Sequence, residues 1–201
     1  MGLFDFLKRK KTPAPSSDKA TLIVVQLNAK LQPLDRGEYF EYPLDDWLQE
    51  QKLGTVTGGG TSFDDTGIDY CDIELRLHNP TNEVITAVIH TLENFGAPKG
   101  SLLKYTDDRP DIPFGKHEGL AIYLNGTDLP DEVYTNSDVN EVIAQCDTLL
   151  GQSGGFRGFW QGERETALYF YGHNFVQMKS ALDEYIKAAP LCEKSRLEQI
   201  A

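Results

Sequence analysis

Three observations predict an α+β chain of two tandem ferredoxin-like (βαββαβ) repeats produced by internal duplication. A strand–helix unit occurs twice. Tyr70–Leu77 alternates polar and apolar residues, as a half-buried strand does, and runs through His78-Asn79-Pro80 into a helix. Ala167–Tyr171 runs through His173-Asn174 into another. Matched residues also recur at a nearly constant separation. Leu27-Asn28 and Pro33 match Leu124-Asn125 and Pro130 at 97. Leu53, Gly58, Gly59 and Phe63 match Leu149, Gly154, Gly155 and Phe159 at 96. Ile73, Leu75, His78 and Asn79 match Leu168, Phe170, His173 and Asn174 at 95, and Ala97-Pro98 matches Ala189-Pro190 at 92. The separation only falls, as small loop deletions would make it. Finally, each half reads strand, helix, strand, strand, helix, strand, which is the split βαβ order. The expected organisation is a basic tail and flexible linker at 1–20, a first repeat at 21–105, a linker at 106–116 and a second repeat at 117–201.

In chain order, Met1–Lys11 is apolar and then basic, and Thr12–Lys19 carries the prolines and serines of a linker. Thr21–Leu27 is a nearly continuous apolar run, which reads as a central strand. Pro33, Asp35 and Gly37 break the pattern. Pro43 opens a helix with an apolar stripe of Leu44, Trp47, Leu48 and Leu53, ended by Gly54. Thr55–Phe63 is a glycine-interrupted strand, Asp64–Asp69 its turn and Tyr70–Leu77 the third strand. Asn79 is placed to cap a helix with the stripe Val84, Ile85, Val88, Ile89 and Leu92, and Gly96-Ala97-Pro98 stops it. Ser101–Tyr105 is the fourth strand.

In the second half Leu120–Leu124 is a strand, and Asp138 caps a helix carrying Val142, Ile143, Cys146 and Leu150. Asn174 with Gln177 makes a capping box for a helix lined by Phe175, Met178, Leu182 and Ile186. Ser195–Ile200 is the last strand. Such sheets have both helices on one face, so the other face needs a cover. The halves can cover each other or join edge to edge.

Lys+Arg 19 against Asp+Glu 31 gives a net charge of −12 in 201 residues. The first 20 residues hold five basic and two acidic side chains, a net +3, so the remainder carries −15. A body that acidic repels nucleic acid and anionic lipid and attracts basic partners. Cys71, Cys146 and Cys192 are widely spaced in or beside apolar segments, which suggests buried thiols in a reducing compartment rather than a disulfide framework. No apolar run reaches the roughly 18–20 residues that span a bilayer. Charge follows the N-terminal apolar residues instead of preceding them, so no secretory signal is expected, and Phe6 stands where a myristoylation motif wants Ser or Thr. The expectation is a cytoplasmic protein without stable membrane anchoring.

No catalytic signature emerges. The His78-Asn79 and His173-Asn174 pairs read first as a strand end followed by a helix cap, and only second as bases or metal ligands. Cys71 and His78 are an odd number of residues apart on one strand and face opposite ways. There is no Cys-x-x-Cys or His-Glu-x-x-His pattern, so no metal site is expected. Thr57–Ser62 lacks the Gly-Lys-Ser/Thr ending of a phosphate loop and leads into a strand, as does Gly151–Gly155, which suggests bulged edges. Ser101 and Ser153 have no elbow motif. No cofactor is implied. The aromatic run Phe156–Trp160 opposes Tyr169–Tyr171 across a hairpin, where half of it either faces outward or fills the contact between halves.

The stretch Gly54–Gly60, Tyr70–Leu75 and Gly96–Ser101 resemble segments of uncharacterised bacterial proteins, several of which are similar to immunity proteins that bind and neutralise a toxin. The acidic body, the absence of catalytic motifs and the spare aromatic sheet surface point to a non-enzymatic protein-binding module with a basic protein partner, and the resemblance implies that this module is a toxin-neutralising immunity protein. The contact residues expected from acidic clusters and aromatics are Asp64, Asp65, Asp69, Asp107, Asp108, Phe156 and Trp160. The alternative is an enzyme or small-ligand-binding protein with a site between the repeats, near His78, His173 and the glycine loops.

Overall fold

The computed structural model describes residues 20–201. The tail and linker expected at 1–20 therefore lie, apart from Ala20, outside the described residues. The run TLIVVQL forms β1 (Thr21–Leu27), whose Ile23, Val25 and Leu27 are fully buried. A helical segment follows: α1 (Pro33–Arg36), a π-helical turn (Gly37–Glu41) and α2 (Tyr42–Glu50). Then come β2 (Gly54–Asp64), β3 (Gly67–Leu77), α3 (Asn82–Asn94), β4 (Ser101–Tyr105) and β5 (Ile112–Phe114). The strands pair antiparallel in the order β2-β3-β1-β4-β5. The second half holds β6 (Glu118–Asn125), α4 (Asp131–Asn136), α5 (Val139–Leu150), β7 (Gly154–Gln161), β8 (Glu165–Gly172), α6 (Phe175–Ala188) and β9 (Arg196–Gln199), with strand order β7-β8-β6-β9. Each hairpin inserts one strand between the ends of a crossover, which yields the ferredoxin-like order in both halves. The chain is therefore α+β with two tandem ferredoxin-like units.

One face of each sheet is covered by its own helices. Leu44 and Leu48 of α2 and Ile85, Val88 and Leu92 of α3 pack with the inward residues of β1 and β3. Val142, Cys146 and Leu150 of α5 and Met178, Leu182 and Ile186 of α6 pack with Leu120, Ile122, Leu124, Leu168 and Phe170. The apolar stripes that define these helices are the residues that become buried.

Strand register revises the matching of the halves. Thr21 and Glu118 begin equivalent strands 97 residues apart and pair with Leu77 and Gly172, which are 95 apart. The first of two bulges in β2 lies between Val56 and Gly58, and that of β7 between Phe156 and Gly158, 100 residues on. Gly58 therefore corresponds to Gly158, not Gly154, and the separation rises before it falls. Glycine is common enough at a helix-to-strand turn to produce the false match.

Four local expectations also change. The segment 33–50 is helical throughout: Pro33 suits a first turn, and the π turn absorbs Gly37 while burying Arg36 and Phe40. The β2–β3 turn is only Asp65-Thr66, because Asp64 pairs with Gly67 and its carboxylate accepts the Thr66 N–H at 2.7 Å. Asn79 does not cap α3. It sits at φ 44° in a left-handed turn, and Thr81 is the cap, its side chain accepting the Val84 N–H. Asn174 does cap α6, accepting the Gln177 N–H at 2.9 Å. The expected linker 106–116 contains β5, which extends sheet 1 and buries Phe114.

The halves meet asymmetrically. The helix-free face of sheet 2 carries Ala121, Ala167, Tyr169 and Tyr171, all buried within the core of the first half. The Tyr171 hydroxyl accepts the Lys30 N–H at 2.8 Å, and Trp160 lies 5.3 Å from Phe63. The outward aromatics of the second half thus fill the contact between halves. Gly67, at φ +128°, leaves room for Trp160: a side chain there would come within 2.7 Å of the indole. No helix among the described residues is long and apolar enough to cross a membrane.

Candidate functional site

The β7 bulge takes Arg157 out of regular pairing, and bulges re-aim side chains in this way. Its guanidinium carbon lies 4.2 Å from the centre of the Tyr39 ring, across the boundary between halves. Among the described residues Arg157 forms no ion pair.

Two histidines stand beside it. His117 immediately precedes β6. Its N–H donates to the Ala97 carbonyl at 3.2 Å, and its own carbonyl accepts the Lys99 N–H at 2.7 Å. Gly96, at φ +95°, makes this approach possible, since a side chain there would come within 2.9 Å of His117 Nδ1. His173 follows β8, and its N–H donates to the Ser153 carbonyl at 3.0 Å. The imidazoles meet edge to face, centroids 4.9 Å apart and planes at 79°. Together with Gly151–Phe156, Tyr171, Gly172 and Asp147 they line an open cavity of about 390 Å³.

His117 Nδ1 is buried without a hydrogen-bond partner. Burial first, and then the nearby His173 and Arg157, hold this imidazole below its ordinary range. An imidazolium here would bury an unpaired N–H, so the neutral form is favoured until a negative charge arrives. Asp147 is the one carboxylate in the lining, and its Oδ1 accepts the Phe156 N–H at 2.7 Å. The cavity therefore presents one unpaired guanidinium beside two imidazoles. That arrangement can hold an anion.

The residues expected from the sequence to bind a partner do not converge. Asp64 ends β2, Asp65 stands on the turn that follows, and Asp69 is exposed on β3. Hydrogen bonds from the Thr66 side chain and N–H keep the Asp64 carboxyl below its usual range. Asp107 is bound by Arg109 at 2.8 Å, and Asp108 is exposed on the same loop. Phe156 packs in the second core, 5.5 Å from Phe170, and Trp160 fills the junction against Phe63. These two aromatics are thus half-buried packing residues and not free anchors. Of the site imagined near His78, His173 and the glycine loops, the structure brings together His173 and the second loop. His78 is exposed, and Gly58–Gly60 lie on β2. Arg157 had a signal in the sequence, an arginine set inside an aromatic run. His117 had none, because its neighbour Gly96 is distant in sequence.

The three thiols are free and buried. Burial pushes Cys71 up, Cys146 to about 12 and Cys192 to about 11, so none is a ready nucleophile. Among the described residues no group of three or more His, Cys, Asp or Glu is placed to hold a metal ion.

No protein-family model and no curated protein matches the chain. Among solved structures, the first two RRM domains of yeast poly(U)-binding protein are similar at a TM-score of 0.25 and 10% identity, over 89% of this chain and 99% of that one. A protein described as a glycine cleavage system transcriptional repressor is similar at a TM-score of 0.30 and 12% identity, over 90% and 95%. An anthrone oxidase-like protein follows at 0.22 and 16%, over 87% and 80%. At these scores the likenesses carry no functional argument, and the fold rests on the strand order and pairing described above.

Proposed function

We propose that the protein is a ligand-binding module whose junction cavity takes a small anion, a phosphate- or carboxylate-bearing molecule. The observation that carries this reading is Arg157. It is unpaired among the described residues and stands beside two imidazoles, in a chain whose net charge is −12. An acidic protein that simply needed solubility has no reason to gather an unpaired guanidinium and two of its four histidines at one cavity. The buried free thiols support a reducing, cytoplasmic setting. Calorimetry with inorganic phosphate, sulfate and acetate tests the reading. Arg157→Gln should weaken anion binding about 10- to 100-fold, the equivalent of losing one charge-assisted hydrogen bond worth about 1.5–3 kcal/mol. Equal affinity in Arg157→Gln, or no binding to the unaltered protein, would exclude it.

A second reading is capture of a basic protein, as in toxin neutralisation. It is supported by the solvent-facing carboxylates of Asp64, Asp65, Asp69 and Asp108. It predicts a salt-sensitive complex that is lost when these four become Asn and is untouched by Arg157→Gln.

A further inference from the structure

The second half contains another cavity, separate from the junction. It has about 350 Å³ of space beneath the N-terminal end of α5. Leu124, Val139, Ile143, Phe159, Leu168 and Leu191 form apolar walls. Gln161, Thr166 and Asn140 are among the polar groups at its rim, and no charged side chain lines it. In a chain with 25% charged residues, an uncharged lining is a selective feature. Among the described residues neither the Gln161 amide nor the Thr166 hydroxyl has a side-chain hydrogen bond, whereas the Asn140 amide already donates to Asp138.

The cavity exists because the helical cover is interrupted. α4 buries none of its residues, and Ser137 and Asp138 are extended before α5 begins. Phe159 faces this gap and stays 46% exposed, although it lies on the same side of the sheet as its fully packed pair Leu168. The first half fills the corresponding space. There the helical run continues from Pro33 to Glu50, and Gly59 stands at the strand position of Phe159. A side chain at Gly59 would meet Glu41, Asp72 and Arg36. Two copies of one fold thus differ at one place by an aromatic flap and a void.

We propose that this void is a binding pocket for a small, uncharged, mostly aromatic molecule with one hydrogen-bonding group. Apolar walls with a few polar groups at one side, at the lower end of the about 300–1,000 Å³ range, are the usual make-up of such sites. A charged ligand would leave its charge without a partner in the lining. The proposal is independent of the anion site.

Backbone amide NMR on the whole chain tests it with three probes that share one ring: indole, indole-3-acetate and tryptamine. Indole should shift the amides of Val139, Ile143 and Leu168 saturably, and the two charged analogues should bind there at least about tenfold more weakly, since their charge is buried unpaired. Ile143→Trp, which fills the void, should abolish these shifts while the rest of the spectrum stays dispersed. Val139→Phe serves the same purpose if Ile143→Trp does not fold. Absence of a saturable shift with indole overturns the proposal. So does unchanged binding in a folded filled variant, or equal binding of all three probes.

Discussion

Leu22 on the helix-free face of sheet 1 is 40% exposed, whereas Tyr171 on the helix-free face of sheet 2 is 4% exposed. The strand order is the same over four strands, and the first sheet adds only β5 at its edge. What differs is the chemistry of the face. β8 places Ala167, Tyr169 and Tyr171 there, which requires a cover, and the first half supplies it. β3 places Asp72, Glu74 and Arg76 at the matching positions, which water can solvate. One fold used twice therefore gives one body with a single closed junction, and the cavity proposed to take an anion sits at the rim of that junction.

The largest expected effect comes from breaking the closed face. Tyr171→Ala should cost about 3–5 kcal/mol, the usual range for truncating a buried aromatic, while Leu22→Ala should stay within about 0.5 kcal/mol. Urea unfolding measures both, and similar losses would mean that the faces are not as different as the packing says. Next is a pair of neighbouring glycines on β2. A side chain at Gly59 would lie 2.6 Å from the Asp72 carbonyl oxygen, and one at Gly60 would meet nothing within 4 Å. Gly59→Ala should cost about 1–3 kcal/mol by overpacking, and Gly60→Ala should be neutral or slightly stabilising. Equal effects in thermal melts would contradict the placement of the α1–α2 segment over β2.

A smaller contrast separates the two asparagines. Asn174→Ala should cost about 1 kcal/mol through the lost cap, and Asn174→Ser should recover most of it. Asn79→Gly should be neutral or better, since its φ of 44° suits glycine. The smallest effect is on pH dependence. Burial lowers the His117 pKa in the folded protein, so the unfolded chain binds its proton more readily. Stability should fall as pH drops below about 6.5, the unfolded histidine value, and level off below the folded pKa. His117→Gln should flatten that limb of the profile.

Much of this architecture could be read from the residues, for a physical reason. The apolar stripes of α3, α5 and α6 and the alternation in β3 are local patterns tied to local periodicity. What escaped was settled by distant contacts. The helical run from Pro33 looked broken because Gly37 is a poor helix former on its own, yet burial of Arg36 and Phe40 against the sheet holds it. Asn79 resembled Asn174 in sequence, but two further residues before α3 leave the capping to Thr81. In the candidate site, Arg157 lay inside the aromatic run Phe156–Trp160, and His173 was visible as a residue of interest. His117 was not, because it reaches the cavity only through the approach of Gly96 and Ala97, which lie in the other half.

The most direct test of the junction site is a histidine side-chain NMR titration with and without inorganic phosphate. The four histidines provide internal controls, since His78 and His90 are exposed and lie outside the cavity. The account predicts that His117 titrates below about 6.5 in the free protein and moves upward with phosphate. The ring resonances of His173 should change on adding phosphate, and those of His78 and His90, outside the cavity, should not. Unchanged His117 and His173 signals at saturating phosphate, or equal movement of all four, would contradict it.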